Sequence, residues 1–125
     1  MQRTMSKSKI HRARVTEACI DYEGSISIDS NLIEAANLIE YEQVQIYNIS
    51  NGERFTTYVI AGEPGSGTIC LNGAAARKVS VNDLIIICAY AVLEENECRN
   101  FKPSVVLVDS ENKIAQVKHS LSPAA

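Results

Sequence analysis

The dipeptide Gly24-Ser25 is the part of the sequence that could most readily undergo a chemical reaction. Glycine has no side chain to block the approach of the serine hydroxyl to the preceding carbonyl. If the Ser25 oxygen attacks the Gly24 carbonyl, the amide becomes an ester. Loss of the β-oxygen then leaves a dehydroalanine, and hydrolysis gives a terminal pyruvoyl ketone, which forms a Schiff base with an amino compound and accepts electrons. A plain turn uses the same two residues, so the dipeptide alone leaves both interpretations open.

Two residues of a predicted strand could bind and protonate a small anionic ligand. The segment 54–61 alternates as a strand does, so Arg54 and Tyr58 share a face and Thr57 points to the other. At ~3.3 Å per residue the backbones of Arg54 and Tyr58 lie roughly 13 Å apart, and both long side chains can converge on one ligand. A guanidinium grips a carboxylate through two hydrogen bonds, and a phenol can donate a proton. The alternatives are a surface arginine beside a turn and a packed tyrosine.

The segment Asn72-Gly73-Ala74-Ala75 offers backbone chemistry. Its small side chains leave N–H groups open to a carboxylate or to the oxyanion of an acyl shift. A turn leading into one helical turn has the same composition. Two further candidates are Lys9, as a second partner for a carboxylate, and Tyr22, as a residue lining the pocket. An exposed charge and a packed aromatic explain these two residues equally well.

Short strands separated by turn signals must position these residues. The predicted strands are 9–15, 20–28, 44–50, 54–61, 68–71, 84–93, 105–108 and 114–117. Gly24 lies inside the second of them, which indicates a bulge, a sharp turn or a close backbone approach. The run 84–93 is apolar throughout, which predicts burial on both faces. This pattern favours a small β-barrel over a sandwich of two flat sheets.

Helix and turn signals complete the predicted organisation. One short helix is predicted over 29–39, capped by Asp29, Ser30 or Asn31. Asn51-Gly52 predicts a tight hairpin turn with positive backbone angles. The tail 120–125 is expected to be loosely ordered.

Length and composition exclude several classes of protein. The 125 residues, 46% of them hydrophobic, predict a single domain over 1–125. The longest apolar run, 84–93, is about half of the ~20 residues that a membrane helix needs, so no membrane contact is expected. The four cysteines form no C-x-x-C and have two histidines as companions, which predicts reduced thiols in the cytoplasm and no metal site. Neither common glycine-rich nucleotide motif is present.

The charge is distributed unevenly along the chain. Residues 1–14 contain no acid and five bases: Arg3, Lys7, Lys9, Arg12 and Arg14. One interpretation is a binding module whose basic arm contacts nucleic acid or an acidic partner. Because no aromatic residues are interleaved with the charges, a solvated strand that pairs with the acidic remainder is the preferred interpretation, and no nucleic-acid partner is predicted.

The spaced motifs of this chain resemble the aspartate 1-decarboxylase family of self-cleaving pyruvoyl enzymes nearly end to end. The motifs are Lys9-Ile10-His11-Arg12, Tyr22-Glu23-Gly24-Ser25, Asn51-Gly52-Glu53-Arg54-Phe55-Thr56-Thr57-Tyr58 and Asn72-Gly73-Ala74-Ala75-Ala76, followed by an apolar strand. The resemblance implies a mainly β fold, a small double-psi β-barrel with one or more short helices, and a homotetramer. It also implies decarboxylation of L-aspartate to β-alanine and carbon dioxide through a Schiff base, which supplies pantothenate synthesis.

The resemblance also implies a role for each site residue. Ser25 would become the pyruvoyl group after cleavage into 1–24 and 25–125, and Tyr58 would be the proton donor. Cleavage would involve Gly24, Ser25, Thr57 and Asn72. Substrate binding would involve Lys9, Tyr22, Arg54, Thr57, Gly73, Ala74 and Ala75. Since strict alternation turns Thr57 away from Tyr58, either the strand is bulged or the site lies between subunits.

Two alternative functions remain open, and so does the need for a partner protein in cleavage. The chain could be a small β-barrel binding module, or a pyruvoyl decarboxylase for another amino acid. Some relatives need a maturation protein for cleavage, so such a partner is possible here.

Overall fold

Nine strands and three short helices make up the computed structural model, which describes residues 1–120. The strands are β1 (Gln2–Arg14), β2 (Glu17–Cys19), β3 (Ser25–Asp29), β4 (Gln43–Asn48), β5 (Arg54–Gly62), β6 (Ile69–Asn72), β7 (Leu84–Glu94), β8 (Ser104–Val108) and β9 (Ile114–Lys118). The helices are α1 (Ser30–Ala35), a 3₁₀ helix (Gly73–Lys78) and α2 (Glu95–Cys98). No helix within residues 1–120 has the length and apolar character needed to cross a membrane.

The strands form one mixed sheet with the order β2-β6-β3-β5-β4-β7-β1-β8-β9. The pairs β1/β8, β2/β6 and β3/β5 are parallel, and the other neighbours are antiparallel. Sequence neighbours are therefore often separated in the sheet, as in a double-psi barrel, although β2 and β9 remain the ends of the hydrogen-bonded ladder. This confirms the predicted mainly β fold with short helices.

Aliphatic side chains from the central strands fill the core. Ile10, Ile26, Val59 and Ile87 have 1% or less of their surface exposed. Each comes from a strand in which the flanking residues face outward, because side chains alternate across a sheet. Burial of one such side chain is worth about 1.5–3 kcal/mol, so the core fixes which face of each strand points outward.

A predicted strand and the predicted helix differ in extent. The strand predicted over 20–28 was wrong in its first half: it begins at Ser25, because the chain turns at residues 20–24. The helix ends at Ala35, and Asn37 then has a left-handed backbone with a φ of 57°. Its cap is Asp29, whose side chain accepts from the Asn31 N–H at 2.8 Å.

Burial of β7 on both faces was also wrong for its second half. Its residues up to Ala89 are mostly buried, whereas Tyr90 and Val92 are 43% and 61% exposed. An apolar run predicts a strand here, but the residues of that strand that belong to the buried core end at Ala89.

The predicted hairpin at Asn51-Gly52 is a longer turn than the sequence indicated. Residues 49–53 connect β4 to β5, and the Gly52 N–H donates to the Asn48 carbonyl at 2.9 Å. Of the two turn residues, Gly52 has the positive φ, at 80°. The helix α2 was not predicted, and the prediction for the tail beyond residue 120 lies outside the described part of the chain.

Candidate active site

The outward face of four adjacent strands, β2, β6, β3 and β5, forms the candidate site. Ser25 is paired with Asn72, and Asn72 is paired with Cys19. In the next row, Ser27 is paired with both Cys70 and Ile60. Paired residues share a face of the sheet, so these side chains form a small patch whose alternate neighbours are buried in the core.

A cavity of about 650 Å³ lies over this patch. Its walls include Tyr22, Ser25, Tyr58 and Asn72. An adjoining recess of about 350 Å³ shares Tyr58 and is also lined by Gly24, Thr57, Ala74, Ala75 and Lys78. The structure thus brings together eight of the residues predicted for the site, around the Gly24–Ser25 peptide bond.

The Ser25 hydroxyl is buried and held by two hydrogen bonds. Asn72 Nδ2 donates to Ser25 Oγ at 3.0 Å, and the hydroxyl donates to the Glu23 carbonyl at 3.3 Å. Only 5% of the Ser25 surface is exposed. The cross-strand pairing of Ser25 with Asn72 explains why the two side chains meet, and it fixes the hydroxyl next to the preceding peptide bond.

Gly73 packs directly against the backbone of Gly24. It has a φ of 67°, and a Cβ at this position would lie 2.7 Å from Gly24 N and Cα and 2.8 Å from the Tyr22 carbonyl oxygen. No side chain fits such a contact, and the left-handed backbone itself favours glycine. The sequence indicated small residues here, but the close approach of the two glycines depends on the tertiary structure.

Thr57 lies in the recess with Gly24, on the opposite face of β5 from Tyr58. The pairing of β5 with β4 is uninterrupted, with Thr57 opposite Val44 and Tyr58 opposite Gln43. Strand β5 is therefore not bulged at this point. Thr57 and Gly24 line one recess within a single chain because the Gly24–Ser25 bond lies where β3 begins.

Lys9 and Arg54 do not line either cavity. Lys9 pairs with Cys88 on β7, and Arg54 pairs with Tyr47 on β4 and stacks on its ring at 3.9 Å from the centroid. Burial raises the pKa of the Cys88 thiol, and the positive charges of Lys9 and Arg54 partly oppose that rise. The two cations therefore share a separate surface.

Tyr47 and Tyr90, which the sequence did not single out, belong to that separate surface. Their hydroxyls are 2.7 Å apart. This hydrogen bond, followed by burial, raises the pKa of Tyr90 far above its ordinary value. The sequence signal for Tyr47 is its place on the polar face of β4, whereas Tyr90 lies in an apolar run and has no such signal.

The cavity wall also contains a group of potential metal ligands from β2 and β6. The ligand atoms of Glu17, Cys19 and Cys70 all lie within 4.8 Å of one another. This cluster was not predictable from the sequence, because its two cysteines are 51 residues apart and meet through strand pairing.

A family model described as aspartate decarboxylase matches residues 1–115. The chain belongs to the aspartate decarboxylase family. It is 61% identical over 119 residues to aspartate 1-decarboxylase of Syntrophus aciditrophicus, covering 95% of this chain and 100% of that protein. It is 58% identical over 113 residues to the protein of the same name from Thermoanaerobacter pseudethanolicus, covering 90% and 97% of the two chains.

A third relative in the aspartate decarboxylase family has a similar degree of sequence identity. The aspartate 1-decarboxylase of Caldicellulosiruptor bescii is 63% identical over 111 residues, which cover 89% of this chain and 87% of that protein. Membership of the family confirms the resemblance that the motifs indicated.

Proposed function

We propose that this protein is an aspartate 1-decarboxylase, which removes the α-carboxylate of L-aspartate and releases β-alanine and carbon dioxide. The product would supply pantothenate and hence coenzyme A synthesis. Full-length similarity to proteins of that name supports the activity. The structural observation that carries the proposal is the buried Ser25 hydroxyl, held by Asn72 at the wall of a cavity that also contains Tyr58.

The proposed cofactor is a pyruvoyl group made from Ser25. When formed, this group supplies a ketone that captures the amino group of the substrate and withdraws electrons from the bond to the departing carboxylate. The residues present fit its formation. Ser25 is held at its hydroxyl, and the missing Cβ of Gly73 lets its backbone lie close to Gly24.

Cleavage of the Gly24–Ser25 bond would divide the single domain into fragments 1–24 and 25–125. Ser25 Oγ attacks the Gly24 carbonyl carbon, and the peptide nitrogen becomes the leaving group of an amide-to-ester exchange. Asn72 orients the attacking oxygen. Thr57 shares the recess with Gly24 and is therefore the residue proposed to donate a hydrogen bond to the carbonyl oxygen.

Within the cavity we assign the proton donor to Tyr58. Its strand lies next to β3, and the phenol is 37% exposed, so it can exchange its proton with solvent. A phenol at the wall can protonate the carbon that loses carbon dioxide. Tyr22 and the segment Gly73-Ala74-Ala75 would line the substrate-binding region.

The charges of the cavity support a homotetramer. Glu17, Glu23 and Glu63 line the larger cavity, and no lysine or arginine of residues 1–120 does so. A dicarboxylate substrate needs positive partners, and Lys9 and Arg54 lie together on a different surface. We therefore propose that a second copy of the chain supplies Lys9 and Arg54 to the cavity, so that each complete site lies between subunits.

The binding-module alternative receives less support. Arg3 pairs with Glu95 at 2.6 Å and Lys7 pairs with Glu42 at 3.1 Å, within a strand that is hydrogen-bonded on both sides. The basic segment is thus part of the sheet. We also propose a cytoplasmic location, which is supported by four free cysteines.

Activity assays on purified protein test the proposed function. We expect carbon dioxide release with L-aspartate, and much less with glutamate or a neutral amino acid. Faster turnover of glutamate would support the alternative of a pyruvoyl decarboxylase for another amino acid. Incubation of uncleaved chain alone and with cell extract tests whether cleavage needs a maturation protein.

A further inference from the structure

We propose that Glu17, Cys19 and Cys70 form a binding site for a thiophilic divalent cation, such as Zn²⁺, in the wall of the cavity beside Ser25. The three ligand atoms are within 4.8 Å of one another and come from two paired strands. Thiolate and carboxylate are established ligand types for this cation. Three protein ligands leave a fourth position for water or for an anion from the cavity.

Two of the three ligand–ligand distances are close to those of a tetrahedral site, and the third is within 4.8 Å. Two sulfurs that are each about 2.3 Å from one Zn²⁺ lie roughly 3.8 Å apart at the tetrahedral angle. The Cys19 and Cys70 sulfurs are 3.8 Å apart. A sulfur and a carboxylate oxygen on the same cation would be separated by roughly 3.6 Å, and Cys19 Sγ lies 3.9 Å from Glu17 Oε2.

The backbone holds these ligands in place without a cation. Glu17 and Cys19 are two residues apart on β2 and so point to the same face. Glu17 pairs directly with Cys70 on β6 in a parallel ladder. Binding therefore requires only small side-chain movements, and the ordering cost that weakens sites on mobile loops is largely avoided.

The electrostatics of the cluster favour a positive occupant. Burial, the hydrogen bond to Cys19 and the nearby charges of Cys19 and Glu17 raise the pKa of the Cys70 thiol to about 12. A divalent cation replaces the two thiol protons, which pass to solvent, and each sulfur donates an electron pair to the metal.

The site is connected to Ser25 through one side chain. The Cys70 thiol donates to Asn72 Oδ1 at 3.3 Å, and Asn72 Nδ2 donates to Ser25 Oγ at 3.0 Å. Loss of the thiol proton to a metal removes the first of these hydrogen bonds. Before cleavage, a bound cation would thus alter the partner of the Ser25 hydroxyl; after cleavage, it would still occupy space in the cavity. This effect on cleavage and turnover, unlike the binding itself, rests on the proposed function.

Titration of the purified protein with Co²⁺ tests the site. The buffer contains a phosphine reductant, which keeps the cysteine thiols reduced. We expect one equivalent per chain, an intense thiolate-to-cobalt absorption band, and displacement by Zn²⁺. Cys19→Ser and Cys70→Ser should each lose the band. Glu17→Gln should weaken binding by more than about 10-fold, since even outer partners of metal ligands contribute about 10–100-fold.

Cys98→Ser is the matched control, because Cys98 lies in α2 with its thiol directed at the Glu94 carbonyl, and it should bind Co²⁺ as the unaltered protein does. Circular dichroism identifies any variant that fails to fold; half-exposed Cys19 gives the variant that disturbs packing least. Absence of the band in the unaltered protein, or its persistence in folded Cys19→Ser, would overturn the proposal.

A second measurement separates this proposal from the proposed function. Zn²⁺ should remove most aspartate-dependent carbon dioxide release from the unaltered protein and much less from Cys19→Ser, each compared with its own metal-free rate. Equal sensitivity of both proteins would contradict an effect of this metal site on turnover. If neither protein releases carbon dioxide, the proposed function fails, while the Co²⁺ spectrum still decides the metal site.

Discussion

Contacts at single residues determine whether the peptide bond before Ser25 can react. Ser25 is held by Asn72, and Gly73 approaches Gly24 more closely than any side chain would allow. The sequence identified Ser25 and Asn72 through motifs and could not give the distances between them, because they are 47 residues apart. Their meeting depends on the register of β3 with β6.

Gly73→Ala should impair cleavage and stability together. The new Cβ would collide with backbone atoms of Gly24, and the positive φ would cost about 1–2 kcal/mol in addition. Gly52→Ala is the control, since Gly52 also has a positive φ but has open space, with no atom within 4 Å, where the new methyl group would lie. Gel electrophoresis and thermal unfolding measure the two effects. Normal cleavage in Gly73→Ala would contradict the role given to the close approach.

Tyr58→Phe should keep the fold and the cleavage but lose turnover by about 10²–10⁴-fold, the usual contribution of a positioned general acid. The phenyl ring retains the packing and lacks only the acidic proton. Tyr41→Phe, at an exposed tyrosine outside both cavities, should be unaffected. Steady-state carbon dioxide release provides the measurement, and a Tyr58→Phe rate within a few-fold of normal would remove the assignment.

The strands and the cap of α1 determine where those residues lie. Alternation along β5 was predictable from sequence, and so was a helix start near residues 29–31, although Asp29 was one of three possible caps. The turn over residues 20–24 was indicated only as one of three possibilities at Gly24, because apolar residues on both sides of it have the appearance of one continuous strand. The cluster of Glu17, Cys19 and Cys70 was equally hidden, since strand register is set by tertiary packing.

Asp29 links the start of α1 to the loop at residues 65–67 through hydrogen bonds, and its loss should destabilise the fold. Its buried carboxylate accepts from the Asn31, Gly65 and Gly67 N–H groups at 2.8, 3.0 and 2.9 Å. Asp29→Ala should lower the free energy of unfolding by about 2–3 kcal/mol near neutral pH, as expected for a cap with charged hydrogen bonds. Glu34→Ala, at an exposed position of α1, should change it by less than about 0.5 kcal/mol. Urea unfolding measures both.

The pH dependence of stability follows from the same carboxylate. Burial raises the pKa of Asp29, but the backbone hydrogen bonds from Gly67, Asn31 and Gly65 outweigh it, and the net pKa is lowered. A lowered pKa in the folded state means that this stability is present above the ordinary aspartate pKa and is lost as the pH falls through the folded value. Asp29→Asn should therefore flatten the acid limb of the stability profile. An unchanged limb would contradict the assignment.

At the scale of the whole molecule, the positions of the charges are the reason for proposing a site shared between subunits. The larger cavity is lined by carboxylates, and the two cations expected for a dicarboxylate substrate lie on another surface. Family resemblance predicted the two cations and the residues around Ser25 from the sequence, but not the carboxylates. That the cations and Ser25 lie on different surfaces could not be predicted, because it depends on the order of the strands in the sheet.

Mixing two inactive variants tests a site shared between copies. Arg54→Ala and Tyr58→Phe should each lose most activity as pure proteins. When the two are co-expressed, some sites would combine an intact Arg54 from one copy with an intact Tyr58 from another, and part of the activity should return. Co-expressed Ser25→Ala and Tyr58→Phe form the control, since both changes affect the same side of the site. No recovery in the first mixture would contradict a shared site.

We propose that Ser25 cleaves the Gly24–Ser25 bond of the chain that contains it. Intact-mass spectrometry of the purified protein tests this cleavage. We expect two fragments, 1–24 and 25–125, with the larger one blocked at its N-terminus by a ketone, and one uncleaved chain for Ser25→Ala. A full-length mass for the unaltered protein that persists on prolonged incubation with cell extract, or cleavage at the same bond in Ser25→Ala, would contradict the account.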